Sequence, residues 1–325
     1  FELDLTGRDV TEVTVDGDAA TATPAGDKLV VTPAAAIDRG TTFETTITYG
    51  GEPAGRTDPL TTLEEGGGGW LDLGAYSAVV AEPIGASTWL PGNDLPSDKA
   101  TFAIDITVPS PLAAVSNGLL LGTESDATDG TTTYRWRAEE PMAPYLMTLV
   151  VGDLELIGST LPDGTAVIDA VPPDTDAAVR SPLARFPDMV AFLEGRLGDY
   201  PFSAAGNIVV PGMPPTALET QTRSVLSLAA LRQDPDQLVV HELTHQWFGD
   251  SVTPLTWAHI WLNEGPAVYF QWSWAEKAGG PTLEQSARIS WDAADDSMDV
   301  PPGDPGEDEM FGRSVYERSA MFLIE

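Results

Sequence analysis

Two histidines stand four positions apart with a glutamate between them, at His241-Glu242-Leu243-Thr244-His245. On a helix this spacing puts both imidazoles on one face, where they can hold a single zinc ion. It also sets Glu242 close enough to activate a water molecule. Glu264, inside Trp261-Leu262-Asn263-Glu264-Gly265, is the candidate third ligand. Two neutral nitrogens and one carboxylate oxygen, with a fourth position open, are the usual donors of a catalytic zinc site. The chemistry these residues offer is metal-assisted hydrolysis.

The competing reading is a pair of surface histidines flanking a solvated glutamate. The sequence holds only three histidines, so two at this spacing are not a compositional accident. Trp247 and Phe248 follow directly and make the helix apolar on several sides. Histidines on a buried helix need partners.

The elements that must carry these residues are marked. Asp234 serves as an N-cap, Pro235 suits the first helical position, Gln237 completes a capping box, and Gly249 offers a left-handed stop. A second helix is expected from about Leu262 to Gly279-Gly280, with Glu264 in its first turn. Residues 1 to about 150 read as strands: Phe1, Leu3 and Leu5 alternate with polar residues, as do Phe102, Ile104, Ile106 and Val108. Asp16-Gly17, Gly50-Gly51 and Asp129-Gly130 signal turns. The apolar run Leu146 to Val151 predicts a buried strand. Beyond Leu154, short strands (166–168, 207–210) give way to helices over 182–197, 282–294 and 315 to the end. Val300 to Phe311 is expected to be a mobile loop, and Gly66 to Gly69 a flexible link.

The motif residues resemble the aminopeptidase N-like family of gluzincin zinc metallopeptidases. The likeness extends to Trp89-Leu90-Pro91-Gly92-Asn93-Asp94-Leu95-Pro96, to Pro144-Tyr145-Leu146 through Val151-Gly152, and to Val315-Tyr316-Glu317-Arg318-Ser319-Ala320. It implies an α+β multidomain chain: an antiparallel β-sandwich over 1–152, then a thermolysin-like α/β peptidase domain over 153–325. The family's C-terminal helical domain is missing from the sequence. The resemblance further implies one zinc per chain on His241, His245 and Glu264, with Glu242 as general base and Tyr316 as the tyrosine that stabilises the oxyanion. Glu219, in Thr216-Ala217-Leu218-Glu219-Thr220, matches the glutamate that grips a substrate's free amino terminus. The family's glycine, methionine and asparagine around it are replaced here. Glu82, in Ala81-Glu82-Pro83, lines up with a second group sharing that amine. His259 reads as a packed or solvent-facing side chain.

A net charge of −34, from 50 acidic and 16 basic residues, repels phosphate backbones and argues against nucleic-acid partners. Peptides are the expected substrates. Clusters such as Gly306-Glu307-Asp308-Glu309 read as solvated loops. With no cysteine there is no disulfide and no thiolate ligand, which suits an exported or a cytoplasmic protein alike. No apolar run reaches the length of a membrane span. Both ends look cut, since Phe1 opens within a strand pattern and the last residues stop within a helical one. Three functions stay open at this point: a zinc aminopeptidase, a thermolysin-type endopeptidase that needs no carboxylate for the amine, or a non-catalytic fragment.

Overall fold

Asp16-Gly17 shows how closely local chemistry dictates the strand-rich half. Both residues have positive φ, 51° and 85°, as a two-residue type I′ hairpin loop demands, and they join Asp9–Val15 to Asp18–Ala19. A computed structural model describes residues 1–53, 55 and 68–324. Of the expected glycine link, Gly66 and Gly67 lie outside the described residues, while Gly69 opens the strand Gly69–Asp72.

Among the described residues, four antiparallel sheets build the first half. Two three-stranded sheets (Glu2–Asp4, Lys28–Thr32, Thr21–Ala25 and Asp18–Ala19, Asp9–Val15, Thr45–Gly50) close a small core of Leu5, Val13, Val15, Leu29 and Val31. A meander of Leu119–Asp126, Thr131–Met142 and Ala100–Pro109 faces a four-stranded sheet of Ala113–Ser116, Leu149–Gly152, Ser77–Val80 and Gly69–Asp72. In Ala100–Pro109 the predicted alternation holds: Ile106 and Val108 are buried while Asp105, Thr107 and Pro109 are exposed. Leu146 departs from expectation. It belongs to a 3-10 turn, Pro144–Leu146, and the buried strand starts only at Leu149. Pro144 supplies no N–H to a sheet ladder, which favours the turn.

The second half is a layered α/β unit. Its sheet runs Glu155–Thr160, Ala166–Val171, Asn207–Val210, Ser224–Ser227, Ala217–Leu218, parallel at the centre and antiparallel at both edges. Residues on one face (Ala170, Ile208, Val225) join the core of the strand-rich half around Val79, Val115, Trp136 and Val150. The other face, with Val209 and Leu226, buries Val239, Val240 and Leu243 of the helix Pro235–Thr244. Each such side chain contributes roughly 1.5–3 kcal/mol. That face therefore fixes the motif helix on the sheet.

Other helices deviate in detail. The helix expected over 182–197 is two, Ala177–Ala184 and Phe186–Leu197, broken at Arg185 between Pro182 and Pro187. Leu283–Asp292 carries a complete capping box from Thr282 and Gln285. The segment 300–311 has no regular helix or strand, yet Met310 is buried against Ile260 and Val315. Among the described residues, no helix is long and apolar enough to cross a membrane.

One side chain bolts the two halves together. Arg223, 1% exposed, donates from Nη1 to Ser116 O (2.6 Å), from Nη2 to Gly118 O (3.1 Å) and from Nε to Ile168 O (3.0 Å), and stacks over Trp136. Burial pulls its pKa down to about 10, so it remains charged at neutral pH. Arg223→Ala removes three hydrogen bonds across the seam and should cost at least about 3 kcal/mol in denaturant-unfolding stability. Arg223→Lys should recover only part of this, because an ammonium cannot reproduce the planar fork.

Candidate metal centre and active site

The motif helix ends sooner than its sequence suggests. Asp234 precedes it, but its carboxylate accepts from the Gln237 side chain (2.6 Å) rather than from helix N–H groups. The capping box is thus not formed. The helix stops at Thr244, with His245 as its cap residue, and the chain then widens through hydrogen bonds spanning five residues, such as Asp250 N to His245 O (3.0 Å). Gly249, at φ +119°, is required there: a Cβ would lie 3.0 Å from Asn263 Nδ2 and 3.6 Å from His245 Nδ1.

The second helix runs Trp261–Lys277 alongside the first and places Glu264 in its opening turn. Its Gly265 lets the C-terminal segment approach closely, since a Cβ would meet Ser319 Cβ at 2.7 Å. That segment is not the continuous α-helix expected from Val315. A π-type turn, Ser314–Arg318, precedes a short helix Ser319–Phe322. The turn is braced by Arg313, which pairs with Glu317 (2.6 Å) and donates to Ser290 O and Ala293 O.

His241, His245 and Glu264 meet in this frame. Glu264 Oε2 lies 3.3 Å from His241 Nε2 and 3.4 Å from His245 Nε2. Two donors about 2.1 Å from one ion at a tetrahedral angle stand about 3.4 Å apart. Each ring is turned by its other nitrogen. His245 Nδ1 faces the carbonyl of Phe248 (3.1 Å), and His241 Nδ1 faces Gln271 Oε1 (3.0 Å). Gln271 Nε2 in turn donates to Gln237 Oε1 (3.3 Å). With both Nδ1 atoms donating, the neutral rings offer only lone pairs at Nε2. Glu264 Oε2, itself buried without a hydrogen-bond partner among the described residues, offers another. Three acceptors converging on one point fit a divalent cation.

Charge agrees with that geometry. Burial works to lower the His245 pKa, but Glu264 and Glu219 outweigh it and hold the ring well above its usual range. Burial likewise opposes ionisation of Glu264, yet the two histidines beside it, His245 foremost, bring it to about 2. The carboxylates thus favour a positive charge beside them.

The other expected residues gather here too. Glu219 and Glu242 each place an oxygen within 4.8 Å of a His245 nitrogen and of each other, and Glu82, Glu219 and Glu264 form a similar trio. Burial lifts Glu242 to about 7, the two histidines limiting the rise. Burial, then Glu219 and Glu264, push Glu82 well above the carboxylate range, and burial also raises Glu219. Among the described residues, Oε1 of both Glu82 and Glu219 has no hydrogen-bond partner. The Tyr316 ring lies parallel to His241 at 6.1 Å and, with Glu82, Val80, Leu218 and Phe311, lines a cavity of about 240 Å³. His259 is solvent-facing and apart from the site. Sequence reasoning missed Gln271 and Gln246; Gln271 falls on the His241 side of the second helix, which helix periodicity could have suggested.

Family models extend the picture over the chain. The Peptidase M1 N-terminal domain matches residues 8–146, and the Peptidase family M1 domain matches 194–324. The chain belongs to peptidase family M1. The crystal structure of the M1 zinc metallopeptidase from Deinococcus radiodurans superposes with TM-score 0.88 at 28% identity, covering 100% of this chain and 73% of that one. A mutant form of that enzyme, bound to a Tyr-Ser-Ala substrate, gives 0.88 at 29% with the same coverage. Leucine aminopeptidase 2 of Saccharomyces cerevisiae is 28% identical over 92% of this chain, and that of Aspergillus fumigatus 29% over 69%. The chain spans less than half of these two curated relatives, 44% and 36%. The family's β-rich first domain and α/β peptidase domain are the architecture found here, and its cofactor is zinc.

Purified protein should carry about one zinc per chain by elemental analysis. Gln271→Ala should weaken zinc affinity about 10–100-fold in chelator competition, and Glu264→Gln should weaken it further. Full zinc retention by Glu264→Gln would rule out this donor set.

Proposed function

We propose that this chain is the catalytic part of a zinc aminopeptidase, which removes the first residue of a peptide. We also place its domain division at 152/153, where the last strand of the four-stranded sheet ends. His241, His245 and Glu264 are the proposed ligands. When bound, zinc polarises the scissile carbonyl and makes a water molecule acidic. Glu242 accepts a proton from the attacking water and returns it to the departing amine. A carboxyl near 7 suits a group that must do both at neutral pH. Tyr316 donates its hydroxyl hydrogen to the developing oxyanion, whose charge an aimed donor stabilises more than it does the neutral carbonyl.

Glu219 carries the choice of exopeptidase over endopeptidase. A chain end differs from a chain middle by one ammonium, which offers three donors. Oε1 of Glu219 and of Glu82 are acceptors without partners beside the metal ligands. Charge-assisted hydrogen bonds to them would hold the amine and fix its distance from the scissile carbonyl. The relative bound to Tyr-Ser-Ala makes short peptides with free amino termini the substrates to try first.

Glu219→Ala should reduce kcat/KM on free-amine aminoacyl substrates by about a hundredfold, with zinc content intact. An undiminished rate would turn the assignment towards a thermolysin-type endopeptidase. Tyr316→Phe should lower kcat by about 10²–10³ with little change in KM.

A further inference from the structure

The loop carrying Glu219 is short and held under strain. It leaves the edge strand Ala217–Leu218 and re-enters the sheet at Ser224–Ser227. Arg223 N donates to Thr220 O (3.0 Å), and Thr220 Oγ1 donates to Arg223 O (2.5 Å), closing a turn. Within it Thr222 has φ +72°, a conformation costly for a β-branched residue and kept only where its surroundings enforce it.

The enforcing group comes from the motif itself. Gln246, 2% exposed and adjacent to His245, donates from Nε2 to Glu219 O (3.1 Å) and accepts at Oε1 from Thr222 N (2.7 Å). The Tyr200 hydroxyl lies 3.4 Å from the same oxygen. One planar amide thus grips the loop at both ends of Glu219–Thr222, while its own backbone is part of the metal-ligating segment. On the far side, Asn117 Nδ2 donates to Gln221 O (2.7 Å) and Gly118 N to Thr222 Oγ1 (2.8 Å), which anchors the loop to the strand-rich half. On the motif side, Gln246, the residue after His245, links directly to the Glu219 loop.

We propose that Gln246 is a positioning residue: it sets the separation between the Glu219 carboxylate and the metal ligands, and so the dependence of binding on a free substrate amine. The proposal rests on the aminopeptidase reading above. Gln246 touches neither substrate nor reacting atoms. Its effect passes through the loop, so its loss should spare groups that bind only at the metal.

The test uses the zinc-loaded protein and two inhibitors, an α-amino acid hydroxamate and its analogue lacking the amine. In the unsubstituted protein the amine should tighten binding. Gln246→Leu removes both hydrogen bonds and should shrink that advantage about 10–100-fold, leaving zinc content and affinity for the amine-free analogue unchanged. Gln246→Glu keeps the size and the acceptor for Thr222 N–H but sets an oxygen against the Glu219 carbonyl. It should shrink the advantage as well, and it serves if the leucine variant does not fold. An amine advantage retained in both variants overturns the proposal, as does equal weakening of both inhibitors with zinc loss, which is what a merely structural role gives. Absence of any amine advantage in the unsubstituted protein, unmoved by Glu219→Ala, sinks the aminopeptidase reading itself. That outcome is distinct from the others.

Discussion

Three acceptor atoms turned towards one another, with no donor between them, are the constraint on which this molecule is arranged. Lone pairs of two imidazoles and a carboxylate oxygen, buried at 3.3–3.4 Å, repel unless a cation lies among them. Taking such groups out of water is costly unless they are paired, by several kcal/mol for each ionised group. The fold meets that cost in two ways. It spends the other nitrogen of each ring on an outer partner, Phe248 O or Gln271 Oε1, so that neither ring can rotate away. It also packs the helix bearing them on the sheet through Val239, Val240 and Leu243, so that the rings cannot retreat together.

Around this cluster lies an excess of carboxylates. Glu82, Glu219 and Glu242 are each raised by burial, and Glu219 and Glu264 raise Glu82 and Glu242 further. A scaffold optimised only for stability would not gather them. Their presence beside the proposed metal ligands makes sense if a cationic group of the substrate completes the charge balance, which is why we propose this place for the amine. The loop and the turn that supply Glu219 and Tyr316 are both irregular and both braced from outside, by Gln246 and Asn117 in one case and by Arg313 in the other.

Much of this was legible in the sequence because the relevant signals are local. His241, Glu242 and His245 share a helical period, and Glu264 falls in the first turn of the next helix. The alternation of Ile106 and Val108 with polar neighbours, and the Asp16-Gly17 loop, follow from side-chain geometry over a few residues. What the sequence hid was longer in range. The break at Arg185 and the early end of the motif helix at Thr244 depend on how the chain meets its neighbours. The π-type turn at Tyr316 likewise depends on Arg313 reaching Ser290 and Ala293 on another helix. Asp234 and Gln237 had the residue types of a capping box, but their side chains bonded each other and the Asp234 carboxylate accepts from no helix N–H. Gln246 and Gln271 carried no motif of their own, because an amide announces nothing until its partners are known.

The apolar interior does not respect the division between the halves. Ala170, Ile208 and Val225 of the peptidase sheet share one cluster with Val79, Val115, Trp136 and Val150 of the strand-rich half. Neither part possesses a sealed interior of its own along that seam. Removing the first would leave a sheet with one greasy face open to water, an invitation to aggregate. The α/β half of this chain is therefore not a portable module: it depends on its β-rich companion to cover that face.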